Sequence, residues 1–351
     1  MYTTYRPWGW LDWSLELAPP RLWTFIGCVG PEERSIVAAT AFQKRNLLEH
    51  AILLRIVEGE SPFADLASKY ICSRERSCRN AKLRADILQL DLLTSITALD
   101  EVCDAASGSV VLDITSLPKR FFFYLLKQFA KNRRVRDLLV TYTSPKGYPE
   151  GALAGNYDDW QALPSFRPAD PDAEKQAQTR LIVNIGFLPN GLVAHLGGPA
   201  DERKIDLLIP FPAPAETVRR IWKAVWALRR PTDIRIREVR VAANDLSEAF
   251  NVILSLVPEG TGLVSFAPFG PKPISAAMCL YATLTGCPVY YAQPKVYRPN
   301  YSIGVARVDG NPAINGYWIK HEGRSLYALP PGLRRLKKRR RRAAAIYGAR
   351  S

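Results

Sequence analysis

The 351-residue chain contains no apolar run of 18 residues, so the sequence offers no membrane span. Its opening segment, MYTTYRPWGWLDW, lacks a basic region followed by an apolar core and does not read as a secretory signal. It has no CxxC pair. Six cysteines, at 28, 72, 78, 103, 279 and 287, are scattered, and the nearest two, Cys72 and Cys78, lack metal-site spacing. Buried or free thiols in a reducing cytoplasm are the expectation. The three histidines (50, 195 and 321) form neither HExxH nor HxH, so no metal is expected. GxGxxG, GxSxG and the P-loop pattern GxxxxGK followed by Ser or Thr do not occur. The signatures of dinucleotide dehydrogenases, serine hydrolases and P-loop NTPases are therefore missing, and no cofactor is expected.

What is present is positive charge, unevenly spread. Of a net +15, nine charges lie between Arg334 and Ser351, which leaves +6 for the rest. The run Arg334, Arg335, Lys337, Lys338, Arg339, Arg340, Arg341 and Arg342 cannot pack in a core. It reads either as an electrostatic arm for nucleic acid or as a solubilising tail. A second basic cluster, SRERSCRNAKLR, lies within 62–106.

Hydrophobic patterning gives the architecture. LWTFIGCV (22–29) and AILLRIVE (51–58) read as strands, with a helical stretch between them that opens on Glu32 and Glu33. The segment 62–106 reads as mostly helical. SVVLDIT, LPKRFFFYLLKQFAKN and DLLVTYT (109–143) form a dense βαβ unit. A Pro-, Gly- and Asp-rich stretch follows, and the pattern begins again at RLIVNIGFL (180–188). Strands at 205–212, 236–243, 262–268 and 288–293 alternate with helices at 215–230, 245–257 and 273–286, with Asp245 as a helix cap. The prediction is an α/β protein of two tandem Rossmann-like lobes with mainly parallel sheets, built by internal duplication. Its parts are an N-terminal arm (1–21), a first lobe (22–150) with a helical insertion at 62–106, a linker (151–179), a second lobe (180–325) and a basic tail (326–351).

The duplication rests on two βαβ units. Aligned on Pro118 and Pro271, Lys119 meets Lys272. With four residues deleted from the second copy, Pro145-Lys146 meets Pro294-Lys295 and Tyr148 meets Tyr297. The earlier strands match in shape, with Ile26-Gly27 opposite Ile185-Gly186. All four Pro-Lys pairs fall at strand ends, where open parallel sheets bind ligands. A helix starting there offers backbone N–H groups and a positive dipole end to an anion, to which a lysine adds a full charge. Gly270 would allow close backbone approach. Thr115, Ser116 and Ser275 add hydroxyls. Tyr142, Tyr148, Tyr290, Tyr291 and Tyr297 are suited either to stacking on bases or to packing the loops. Asp113, at the end of a buried strand, is a weak catalytic candidate, since a structural bond to the loop suits it as well and its counterpart is Phe266. Glu33, at the first strand-to-helix junction beside Glu32 and Arg34, is the other.

VLDITSLPKR resembles the loop of CRISPR-associated Rossmann-fold (CARF) domains, where a strand ending in a polar D/N-x-T segment leads into a small-residue turn with a lysine. Two such units in one chain are similar in plan to SAVED domains of bacterial anti-phage signalling systems. The glycine pair usual before the lysine is replaced by Ser116-Leu117-Pro118 and Phe269-Gly270-Pro271. The resemblance implies paired loops that bind a cyclic oligonucleotide, with Thr115, Ser116, Lys119, Gly270, Lys272 and Ser275 lining the pocket. The expectation is a cytoplasmic sensor that clamps a phosphate-bearing nucleotide between two lobes and signals to a separate effector protein. The alternatives are a phosphoester-processing enzyme using Asp113 or Glu33 with Lys119, and a nucleic-acid-binding protein using the tail.

Overall fold

The computed structural model describes residues 6–58, 61–167, 180–186, 204–213, 215–229, 235–257 and 264–333. The expected tail cluster at 334–342 lies outside them. In chain order the elements begin with β1 (Trp8–Trp10), α1 (Leu11–Glu16), β2 (Trp23–Cys28), a 3-10 turn (Glu33–Ile36), α2 (Val37–Lys44) and β3 (Leu48–Val57). There follow α3 (Ala64–Asn80), β4 (Asp86–Asp91), a second 3-10 turn (Ile96–Leu99), α4 (Asp100–Ala105), β5 (Gly108–Asp113), α5 (Lys119–Lys131) and β6 (Val135–Thr143). Short strands β7 (Pro145–Gly147), β8 (Ala154–Tyr157) and β9 (Gln161–Ala162) lead to β10 (Arg180–Asn184). Then come β11 (Lys204–Phe211), α6 (Ala215–Arg229), β12 (Arg235–Ala242), α7 (Leu246–Leu256), β13 (Ser265–Pro268), α8 (Lys272–Thr285) and β14 (Tyr290–Tyr291). The chain closes with β15 (Pro294–Tyr297), β16 (Ile303–Val305), β17 (Arg307–Val308), β18 (Asn311–Pro312), β19 (Ile314–His321) and β20 (Arg324–Ser325).

These elements form two compact units. The first is Met1–Pro164 with Ala292–Leu326, and the second is Ser165–Tyr291 with Tyr327–Ser351. The division corrects the sequence boundary at 325, which kept 292–325 with the second lobe. β19 pairs antiparallel with β6, setting Gly316 against Thr141 and Tyr317 against Val140. Its residues Ile314–Lys320 are all buried, so the strand completes the first sheet.

The sheet of the first unit runs β1-β19-β6-β5-β2-β3-β4. Its five strands β4-β3-β2-β5-β6 are parallel and stand in the doubly wound order 3-2-1-4-5. The supposed helical insertion at 62–106 is thus corrected: it holds β4, and α3 is the crossover that joins it to β3. DILQLD was misread because the edge strand is mostly uncovered, with Ile87 45% exposed, and so shows no buried run. β5 and β6 are apolar and buried almost throughout, as central parallel strands must be. α5 buries Phe121 through Leu126 without a break, the mark of a helix covered on nearly every side. The N-terminal arm does lie on the body. Trp8 pairs with Tyr317, and the Trp318 indole donates to the Ser14 carbonyl at 2.8 Å.

The second unit has a four-stranded parallel sheet in the order β12-β11-β10-β13, again 3-2-1-4. A parallel bridge from Phe266 to Val289 marks the fifth position. Asp245 caps α7 as expected, accepting from the Glu248 amide at 2.8 Å, while Glu248 accepts from the Ala242 amide at 3.1 Å.

The two sheets share strand order, the arrangement a duplication would leave. Register changes one detail of the alignment. Ile26 pairs with Leu112, and Leu181 pairs with Ser265. With Pro118 set on Pro271, Leu112 corresponds to Ser265, so Ile26 corresponds to Leu181 rather than Ile185. The Ile-Gly match in the sequence was a four-residue slip.

Beyond β6 the chain makes a reciprocal pairing inside the first unit. β7 pairs antiparallel with β16, joining Gly147 to Ile303 and Pro145 to Val305. β15 pairs antiparallel with β8, joining Pro294 to Tyr157 and Val296 to Gly155. When Pro145 is set on Pro294, β7 is the counterpart of β15, and β8 that of residues 303–306. Each Pro-Lys strand therefore pairs with the return strand of the other repeat.

Candidate functional site

In the first unit the winding reverses between β2 and β5, the place where open parallel sheets bind ligands beyond the carboxyl ends of their strands. The loop after β2 passes through Gly30, and the loop after β5 passes through Ser116. A Cβ built on Gly30 would stand 3.5 Å from that of Ser116, so the two loops are neighbours. The buried Ser116 hydroxyl oxygen has no hydrogen-bond partner among the described residues. Two residues on, Pro118 ends the loop with φ −54° and ψ 146° and no side-chain cap, and Lys119 opens α5 at 9% exposure. Pro118 supplies the carbonyl that accepts from the Phe121 and Phe122 amides at 3.0 and 3.1 Å. The chain thus places a lysine and a serine hydroxyl at an uncapped helix start of 13 residues.

In the second unit the equivalent position is β13–α8. Pro271 has φ −53° and ψ 143°, again with no side-chain cap, and half-buried Lys272 opens the helix. The two prolines thus share one backbone conformation, which carries the chain from a strand end into a helix at Lys in both places.

Several sequence candidates turn inward instead. Thr115 is fully buried: its hydroxyl donates to Asp113 Oδ1 at 2.6 Å and accepts from the Thr143 amide at 2.9 Å. Asp113 Oδ1 also accepts from the Thr141 hydroxyl at 3.0 Å. Asp113 Oδ1 accordingly ties the loop to β6. Ser275 is buried beneath the α8 start, donating to the Pro271 carbonyl at 3.1 Å and accepting from Asn184 Nδ2 at 3.0 Å. Gly270 serves close approach, but to its own chain. A Cβ there would lie 2.1 Å from Asn184 Oδ1 and 2.4 Å from the Ile185 carbonyl.

The other pair of lysines rides on the crossed strands. Lys146 is exposed on β7. Lys295 on β15 pairs with Asp158 at 3.2 Å. Tyr148 meets Tyr301 edge-on at 6.3 Å between centroids, and Tyr301 meets Tyr297 at 6.1 Å. The Tyr297 hydroxyl accepts from Gln293 Nε2 at 2.9 Å. Burial holds the Tyr148 and Tyr297 phenols above their usual range, so both stay neutral. Of the two tyrosine roles foreseen, these two fill the loop-packing one.

Sequence reasoning missed the residue that organises this edge. Arg34 is 3% exposed. Its Nε donates to Glu32 and to the Ser302 hydroxyl, each at 3.0 Å, and Nη1 donates to the Thr143 carbonyl at 3.1 Å. Ser302 donates in turn to Glu32. The guanidinium stands 5.6 Å from the centre of the Tyr142 ring. Burial, the largest influence, would lower its pKa, but the Glu32 carboxylate together with the Tyr142 and Tyr148 phenols outweighs it and holds the arginine charged. Glu33 is exposed, and its carboxylate lies near Gly304. The available signal was a basic residue directly after two acids at a strand-to-helix junction. Among the described residues no group of three His, Cys, Asp or Glu is placed to hold a metal, and no helix is long and apolar enough to cross a membrane.

No family model matches the chain, and no curated protein matches it. Among solved structures it is similar to a type III CRISPR defence DNA nuclease activated by cyclic oligoadenylate, at 9% identity and TM-score 0.46 over 77% of this chain. The match spans 65% of that nuclease's length. A putative universal stress protein from Pseudomonas aeruginosa UCBPP-PA14 matches at 13% identity and TM-score 0.24, over 78% of this chain and 93% of that one. A universal stress protein from Archaeoglobus fulgidus DSM 4304 matches at 9% identity and TM-score 0.23, over 77% and 96%.

Proposed function

We propose that this protein binds a phosphate-bearing nucleotide at its Pro-Lys loops and acts as a sensor rather than a catalyst. One observation carries the reading: two uncapped helix starts in the same backbone conformation, at Pro118 and Pro271, each opening on lysine at the reversal point of a 3-2-1-4 sheet. Backbone N–H groups and lysine suit phosphate oxygens, and the unpartnered Ser116 hydroxyl adds a donor in the first unit. The loop resemblance makes a cyclic oligonucleotide the ligand class, anti-phage defence the setting and a separate effector the output. Asp113 is committed to the loop, which favours binding over turnover.

The test is thermal denaturation with cyclic oligoadenylates and with mononucleotides. A ligand at a hundred times its Kd contributes about 2.7 kcal/mol, a rise of several degrees in Tm. Lys119→Ala or Lys272→Ala should remove that rise. If no nucleotide tested shifts the wild-type chain, or if neither substitution changes the shift, the reading fails.

A further inference from the structure

The outer face of α6 is built for contact with something outside this fold. Its inner face is ordinary: Ile221 and Val225 are buried at 2% and 0% exposure. On the outer side Arg219, Trp222, Lys223 and Trp226 are all exposed and follow the spacing i, i+3, i+4, i+7, which makes one continuous stripe. Trp222 is 40% exposed and Trp226 61%. Two large indoles in water on the polar face of an amphipathic helix contradict the pattern that folding alone requires. At 1.5 Å rise per residue the indoles are about 6 Å apart along the axis, and so are the two cations. Among the described residues two other tryptophans are exposed: Trp8 at 38%, stacked on Tyr317, and Trp13 at 62%, on α1 between Asp12 and Glu16. Among the described residues, α6 is where exposed indoles alternate with exposed cations along one helix face.

We propose that this stripe binds single-stranded nucleic acid. Its cations match backbone phosphates, and its indoles offer flat surfaces on which unpaired bases stack. A duplex shows phosphates but hides its base faces, so the stripe favours single strands. The strand that leads into α6 ends in the same combination, with Phe211 54% exposed and the Arg240 guanidinium 5.3 Å from its ring centre. The stripe shares no residue with the Pro-Lys loops.

The experiment titrates the full chain with a thymine oligonucleotide and follows tryptophan fluorescence across a salt series. The wild type should be quenched on binding. The double variant Trp222→Ala/Trp226→Ala should lose the quenching and bind about tenfold more weakly or worse, whereas Trp13→Ala should bind as wild type. The basic tail stays intact in every variant, so what the double variant loses is stacking. Arg219→Gln/Lys223→Gln should reduce the slope of log affinity against log salt by about 1.4. All four side chains are exposed, so thermal stability should be unchanged. Lys119→Ala should leave this binding intact, which separates it from the nucleotide reading. Wild-type affinity in the double tryptophan variant overturns the proposal. So does quenching by polyglutamate or anionic phospholipid vesicles but not by the oligonucleotide.

Discussion

Removing Arg34 tests whether its buried cluster holds the crossed strands β7 and β16 in place. The guanidinium joins three parts of the first unit: Glu32 after β2, the Thr143 carbonyl at the end of β6, and Ser302 just before β16. The pair is well covered, with side-chain exposures of 3% for Arg34 and 11% for Glu32. Arg34→Met keeps most of the volume and deletes every charge-assisted bond. It leaves the Glu32 carboxylate with only the Ser302 hydroxyl and the Thr143 carbonyl without its arginine partner. Breaking a buried pair from one side costs about 3–5 kcal/mol, because the stranded charge keeps its desolvation penalty. The double variant Glu32→Gln/Arg34→Met removes that charge and should recover much of the loss.

Urea denaturation monitored on the first unit measures the magnitude, and amide hydrogen exchange shows its location. Exchange should speed up at 303–305 and 146–147, the amides of the β16–β7 pair, by up to two orders of magnitude. The β5 amides, deep in the sheet, should change only as global stability falls. If Arg34→Met costs less than 1 kcal/mol, or if exchange at 303–305 follows that of β5, the cluster does not fasten these strands. If the double variant is as unstable as the single one, the stranded carboxylate is not the source of the cost.

Glu58, at the end of β3, gives a pH prediction. Burial raises its pKa above 4.5, opposed by the bond its carboxylate accepts from the Tyr297 amide at 3.0 Å. The folded state therefore holds the proton more tightly than the unfolded one, and stability falls as pH climbs from 4.5 through the folded pKa. In pH-dependent denaturation Glu58→Gln should flatten that fall and be neutral below pH 4; an unchanged profile refutes it. Thiol titration at pH 8 should show one fast cysteine, the exposed Cys72. Burial pushes Cys78 up to about 11 and Cys103 up to about 12, and a second fast thiol would contradict that assignment. Gly270→Ala should cost about 1–3 kcal/mol in chemical denaturation, since its methyl meets Asn184 and Ile185 well inside contact distance. Gly30→Ala, with nothing nearer than 3.5 Å, should cost far less, and equal costs would refute the packing argument.

The parts of the fold legible in the sequence were those whose burial shows as a run of apolar residues. β5, α5 and β6 fell close to their expected bounds because all three are buried almost throughout. Asp245 was legible because capping is a local bond. β4 was not, because an uncovered edge strand lacks the alternation that a half-buried strand shows. The return of 292–326 was not, because a strand's pattern does not name its partner, and β19 pairs with a strand more than 170 residues earlier. Arg34 was invisible as an organiser for a different reason. A charged side chain reads as surface unless its partners are known, and Ser302 lies 268 residues away. The Pro-Lys loops themselves were legible, since proline and lysine at a strand end constrain local geometry whatever the rest of the chain does.

The substitution of Asp113 by Phe266 in the second repeat looked, in sequence, like a function kept in one half only. The hydrogen bonds give it another meaning. In the first unit the loop before the helix is held by a carboxylate on β5 itself, the fourth strand of the winding, which accepts from Thr115 and Thr141. In the second unit the loop is held by an amide on β10, the first strand, which donates to the Pro271 carbonyl at 2.9 Å and to Ser275 at 3.0 Å. β10 and β13 are hydrogen-bonded neighbours, so a side chain on either reaches the same loop. The anchor has moved one strand over and changed from acceptor to donor. With Asn184 in place, position 266 is free to be apolar, and Phe266 packs edge-on against Tyr281 of α8 at 5.6 Å. Gly270 then follows as a consequence, because Asn184 fills the space a side chain would need. Both anchors act on the turn that ends in proline and delivers lysine to the helix start. Two different anchors thus preserve one backbone geometry, in which proline delivers lysine to the helix start.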